Sequence, residues 1–166
     1  MAKWPNVPHC YAWLGLDARG DWFMRDDAVQ SAGPFPQSKG SRLQHDKLIA
    51  FIARNYACDQ QGRWFFQNGP QRVFVELEAT PYIARLSPDL SVHHHTGQAW
   101  TPDQAWVDEA GLLYLATHDT VARVHTQDMV LAIDWMDQRG VSPKEIRAAE
   151  LPLRYAFVMS PALAGR

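Results

Sequence analysis

The chain has 166 residues, 46% of them apolar and 20% charged, with a formal net charge of −2, a composition that suits one globular domain with its own core. The balanced charge, with no long run of either sign, argues against nonspecific nucleic-acid binding, which needs a basic surface to displace counterions. No apolar stretch approaches the roughly 20 residues of a membrane helix, and the opening Met1-Ala2-Lys3-Trp4-Pro5 leads into no apolar signal-peptide core, so a cytoplasmic protein without a membrane partner is expected. Cys10 and Cys58 form neither a CxxC nor a zinc-finger spacing; a single disulfide between them is one reading, and two free thiols in a reducing cytoplasm is the favoured one.

In chain order, residues 11–16 and 21–24 read as a hairpin turning at Asp17-Ala18-Arg19-Gly20. A Gly/Pro-broken loop follows over residues 31–39. Ser41, with Gln44 three residues on, has the capping-box pattern of a helix start. Leu48, Phe51, Ile52, Asn55 and Tyr56 then fall on one face, predicting a long helix that ends near Ala57. Residues 63–67 and 73–77 predict a hairpin turning at Asn68-Gly69, with Val73, Val75 and Leu77 inward and Glu76 and Glu78 on a mixed, solvated face. Residues 82–86 and 91–95, and again 112–116 and 121–125, predict two further strand pairs. Met129 to Met136 fits a helix better than a strand, with Gly140 suited to its C-terminal cap. Ser142-Pro143-Lys144-Glu145 reads as the start of a short helix, residues 155–159 as a closing strand, and 161–166 as a fraying end.

One pattern recurs. Asp17-x-x-Gly20-x-Trp22-Phe23, Asp59-x-x-Gly62-x-Trp64-Phe65 and Asp108-x-x-Gly111-x-Leu113-Tyr114 each place a glycine turn before two large apolar residues. The latter two continue alike, which predicts a duplication over about 59–86 and 108–135 within a single domain, 1–166. The expected fold class is α+β: a domain rich in antiparallel hairpins, with repeated β motifs, one long helix and one or two short ones.

Gly62-Arg63-Trp64-Phe65-Phe66, the run Val73-x-Val75-x-Leu77-Glu78-x-Thr80-Pro81-Tyr82-Ile83-Ala84, the preceding helix Lys47 to Arg54 and the early Gly20-Asp21-Trp22-Phe23 together resemble the uncharacterised proteobacterial DUF1285 proteins. The resemblance spans roughly residues 14–125; the segment 93–97 and the C-terminal quarter depart from it. It implies an α+β fold with repeated motifs and a suggested part in signalling, and it carries over no catalytic residue.

Two constellations could carry chemistry. His93 and His95, two apart in His93-His94-His95, would share one face of a strand and could hold a divalent metal, with His118, Asp119 or His125 as a third ligand. Ser38, Lys39, Ser41 and Arg42 stand where the long helix is expected to start, so free amides and two cations would suit an anion there. The Walker spacing is missing, and a plain capped helix start explains the serine equally well. No Gly-x-Ser-x-Gly elbow occurs. The adjacent pairs His45-Asp46 and His118-Asp119 match the dipeptide of HD-type metal-dependent phosphohydrolases, but those enzymes are all-helical and this chain is strand-rich.

The reading these residues favour is a non-catalytic cytoplasmic binding or regulatory module for a small anionic ligand or a protein partner, with no cofactor expected. Two alternatives stand beside it. One is a metal-dependent hydrolase-type enzyme using His93 and His95; the other is a structural homodimer subunit pairing through exposed strand edges.

Overall fold

The computed structural model describes residues 9–164. They form two compact units, one taking residues 9–17, 21–78 and 157–164, the other residues 18–20 and 79–156.

The first unit is built on a six-stranded sheet. Its elements are β1 (Cys10–Leu16), β2 (Trp22–Met24), α1 (Asp27–Ala32), β3 (Ser41–Arg42), α2 (Asp46–Arg54), β4 (Tyr56–Cys58), β5 (Trp64–Asn68) and β6 (Gln71–Leu77). The strand order is β3-β2-β1-β6-β5-β4. All pairings are antiparallel except β1 with β6. Leu14, Leu16, Phe65, Phe74, Val75 and Leu77 are buried in it. β1 is bulged: Ala12 has φ +72, and the register against β6 shifts between Cys10 and Leu14.

The second unit repeats the plan. Its elements are β7 (Tyr82–Leu86), β8 (Val92–His94), β9 (Gln104–Val107), β10 (Leu113–Ala116), β11 (Val121–Val124), α3 (Met129–Arg139), β12 (Lys144–Glu145) and α4 (Leu151–Arg154). The sheet order is β12-β9-β10-β11-β7-β8. In each unit an antiparallel hairpin (β1–β2, β7–β8) sets its first strand parallel to the last strand of an antiparallel meander (β4-β5-β6, β9-β10-β11). α3 covers the second sheet, placing Ala132, Trp135 and Met136 against Ala84, Leu86, Leu113, Leu115, Ala122 and Val124.

The three Asp-x-x-Gly segments do form turns, with Gly20, Gly62 and Gly111 at φ +83, +80 and +78. The latter two are closed alike. Asp59 Oδ1 accepts the amides of Gln61 and Arg63, and Asp108 Oδ1 those of Ala110 and Leu112. Past the hairpins the likeness ends: residues 82–86 are strand β7, whereas 129–135 lie in α3.

The α+β class, the hairpins and the helix at Met129 are as the sequence predicts, and Gly140 caps α3 in the left-handed region (φ +66). Five local expectations are corrected. Ser41 caps no helix: it pairs with Met24 in β3, where Gly40 lies so close to β2 that a Cβ would meet Met24 O. α2 starts instead after His45, whose Nδ1 accepts the Leu48 amide at 3.3 Å. Residues 144–145 pair parallel with β9 rather than starting a helix. Residues 151–154 are a helical turn, and Ala156 at φ +54 ends any strand before it starts. Glu76 is buried rather than solvated, accepting from Ser160 Oγ and the Ala162 amide, so the expected fraying end is fastened at residues 160–162.

Candidate functional site

The expected anion loop is fastened from beneath by Arg25, which the sequence gives no reason to single out. Arg25 is 2% exposed. Its guanidinium donates to three carbonyls: Ala12 at 2.7 Å, Gly33 at 2.8 Å and Ser38 at 3.0 Å. Burial lowers its pKa, and the Glu76 carboxylate works the other way. Ser38 Oγ donates to Val29 O at 2.6 Å. Lys39 Nζ lies 3.4 Å from Asp17 and 3.6 Å from Glu78, over the Phe23 ring. Ser41 and Arg42 stand exposed on the edge strand β3. The structure thus places Ser38, Lys39, Ser41 and Arg42 in one loop-and-edge segment that ends before the α2 cap at His45.

His93 and His95 alternate with His94 along β8 and its end. His93 pairs with Arg85 across the ladder, so a cation is its cross-strand neighbour. His95 Nδ1 accepts the Ile83 amide at 3.1 Å, which takes that nitrogen away from any metal. Burial, and then His94, hold its pKa down to about 3. The buried member of the run is His94: its ring stacks on Tyr82 at 3.9 Å and leans on Trp100 at 4.9 Å. Burial, and then His93, lower its pKa to about 4. Neither ring nitrogen of His94 has a hydrogen-bond partner, nor does buried Thr96 Oγ1. Among the described residues no group of three or more His, Cys, Asp or Glu side chains could hold a metal ion. Cys10 and Cys58 are free thiols.

Most other buried polar groups serve the framework. Asp128 Oδ2 accepts from Arg85 Nε at 2.7 Å and from the Leu86 amide. His125 Nδ1 accepts the Gln127 amide. Asp108 accepts from the Tyr114 hydroxyl as well as from its turn. A cleft of about 350 Å³ opens beside that turn, lined by Glu109, Glu145, Ile146, Arg147 and Glu150, and Glu109 is occupied there by the Ala148 amide at 2.8 Å.

Large apolar side chains are exposed at Met24, Leu153 and Leu163 and on the helices α2 and α3. α2 carries the strongly one-sided apolar pattern that the sequence shows, yet of its residues only Ile52 is fully buried. Leu48 is 39% and Phe51 38% exposed; Phe51 meets Phe66 edge-on and Arg54 lies over its ring. On α3, Val130 is 72% and Ile133 47% exposed. Periodicity marks both sets as apolar but does not say which apolar residues a core will leave uncovered.

No helix among the described residues is long and apolar enough to cross a membrane. The chain is similar in structure to a DUF1285 family protein from Silicibacter pomeroyi DSS-3, with 12% identity and a TM-score of 0.52, over 78% of this chain and 72% of that one. A DUF1285 family protein from Shewanella baltica OS155 matches with 14% identity and a TM-score of 0.45, over 75% of this chain and 92% of that one. The resemblance read from the sequence is therefore a likeness of fold. No curated protein matches. A family model described as "Protein of unknown function (DUF2946)" matches residues 1–162, and the chain belongs to that family.

Proposed function

We propose that this DUF2946 protein is a non-catalytic binding module and that its ligand is a protein seated on the outer face of α2. The observation that carries the reading is the exposure of Leu48 and Phe51, one turn apart, beside the exposed cations Lys47 and Arg54. Scattered apolar residues are ordinary on a surface, but a patch rimmed by charge on a short amphipathic helix is the form of a docking site. The non-catalytic part is supported by the buried polar groups: Arg25, Glu76, Asp108, His125 and Asp128 spend hydrogen bonds on backbone groups and on neighbouring side chains of the framework. A small anion on Ser38, Lys39, Ser41 and Arg42 has less support, because Lys39 already faces two carboxylates.

The test replaces Phe51 with a photoreactive amino acid in the full chain in cells, with Gln60 on an exposed turn as the control site. A discrete protein adduct is expected at position 51, absent at position 60, and removed by Lys47→Glu with Arg54→Glu. No adduct at 51, or equal labelling at both sites, overturns the reading.

A further inference from the structure

We infer that the protein docked on α2 arrives as an extended, acidic segment that also pairs with the outer edge of β3. The inference rests on the reading of α2 as a protein-docking face and names the kind of partner. Both elements belong to the first unit. Among the described strands β3 ends its sheet, with β2 on one side and no strand on the other. The ladder fixes which way its main chain faces. The Leu43 amide donates to Trp22 O at 2.8 Å, and Ser41 stands opposite Met24. In an antiparallel pair, residues bonded in this way alternate with residues whose amide and carbonyl point the other way. Phe23, opposite Arg42, stands in the bonded register of β1: it pairs with Gly15, and two residues on the Arg25 amide donates to Trp13 O. Arg42 therefore turns its amide and carbonyl to the outer edge, and its side chain is exposed.

Three residues, Leu43 to His45, join β3 to α2, so the strand end and the helix start lie within about 14 Å of each other. The apolar flank of α2 therefore adjoins an open strand edge. The exposed charge along this route is cationic: Arg42, Lys47 and Arg54. Asp46 falls two residues from Leu48, on the far side of the helix, and Lys39 already faces Asp17 and Glu78. A helix laid on α2 would rest on two half-exposed side chains alone. An extended segment adds main-chain hydrogen bonds, which carry the affinity when a strand is added to a sheet edge. A carboxylate directly opposite Arg42 makes the favourable cross-strand pair. Further carboxylates and apolar residues beyond it answer Lys47, Leu48, Phe51 and Arg54.

The test selects binders of the purified full chain from a phage library of short random peptides. The peptides recovered are expected to be acidic, with apolar residues among the carboxylates. Adding one of them, made synthetically, is expected to slow hydrogen exchange of the Arg42 amide. Arg42→Pro removes that amide at an edge position where proline is tolerated. It is expected to weaken binding about tenfold more than Arg42→Ala, which removes the charge alone. Lys47→Glu with Arg54→Glu is expected to weaken it about tenfold, by less in high salt. Circular dichroism checks that the variants are folded; should Arg42→Pro fail, the exchange of the Arg42 amide in the wild type decides. Basic or uncharged binders overturn the inference, as does Arg42 exchange that the peptide leaves unchanged. No binder at all, with a protein adduct at position 51, would sink this inference and leave the docking reading of α2 standing. No binder and no adduct would sink both.

Discussion

Tyr114 donates its hydroxyl proton to Asp108 Oδ2 at 2.8 Å, while Oδ1 of the same carboxylate holds the amides of Ala110 and Leu112. One buried side chain thus closes the β9–β10 turn and satisfies a phenol inside the sheet it feeds. Burial first, and the Asp108 bond second, raise the Tyr114 pKa, so the phenol stays a donor. Tyr114→Phe is expected to cost about 1 kcal/mol, the net worth of one hydrogen bond plus an underused carboxylate oxygen. Asp108→Ala strands two amides and a buried hydroxyl and is expected to cost about 3 kcal/mol. Urea denaturation of the two variants checks the ranking; equal losses would contradict it.

Arg25 supports a second prediction. Its planar fork meets three carbonyls that lie on β1 and on the loop after α1, and a lysine ammonium cannot reach all three from one point. Arg25→Lys is expected to destabilise the chain by about 2 kcal/mol and Arg25→Ala by more, since the carbonyls then lose their buried donors. Hydrogen exchange is expected to rise first at the Ser38 amide, which donates to Pro34 O. Uniform acceleration across the sheet, with nothing particular to residues 33–38, would contradict the assigned role.

His94 makes stability depend on pH. Its folded pKa of about 4 lies below the ordinary 6.5, so between those values the unfolded chain takes up a proton that the folded chain refuses. Stability therefore falls as pH drops from about 6.5 towards 4, by up to about 1.4 kcal/mol per pH unit for each such histidine. His95, at about 3, extends the fall to lower pH. Above 7 neither contributes a slope. His94→Phe keeps a ring between Tyr82 and Trp100 and is expected to remove about half of the dependence between pH 6.5 and 4, leaving the share of His95. An unchanged slope in denaturation midpoints would show that His94 is not the group responsible.

The metal reading has its own check. His95 Nδ1 is committed to the Ile83 amide and His93 stands opposite Arg85, so added zinc is expected to leave the melting temperature of tag-free protein unchanged. A rise that a chelator reverses and that His93→Ala abolishes would restore the metal-dependent alternative.

How far these features were legible in the sequence depends on the range over which each is determined. Turns close within five residues, so Asp59 to Arg63 and Asp108 to Leu112 announce themselves. So does the α3 cap, because a glycine in the left-handed region follows the last apolar turn. Ser41 and Ser142 carry equally good local signals for helix starts, yet pairing to β2 and the chain's entry into β12 override them. Such contacts come from residues distant in the chain, and one sequence does not display them. Arg25 was invisible for the same reason: its acceptors lie on segments brought together only by folding. The two helix faces were half legible. The residues were marked as apolar, but which of them the sheets would cover was not.

The central claim is that the outer face of α2 is covered when the protein works. Hydroxyl-radical footprinting of Phe51 tests it directly, by comparing dilute purified protein with protein in cells. Phe51 is 38% exposed in the isolated chain, so oxidation is expected to be rapid in dilute solution and to fall several-fold in cells, while oxidation of Leu153, which is 90% exposed, stays unchanged. Equal oxidation of Phe51 in both settings would mean that nothing docks on α2, and would contradict the account.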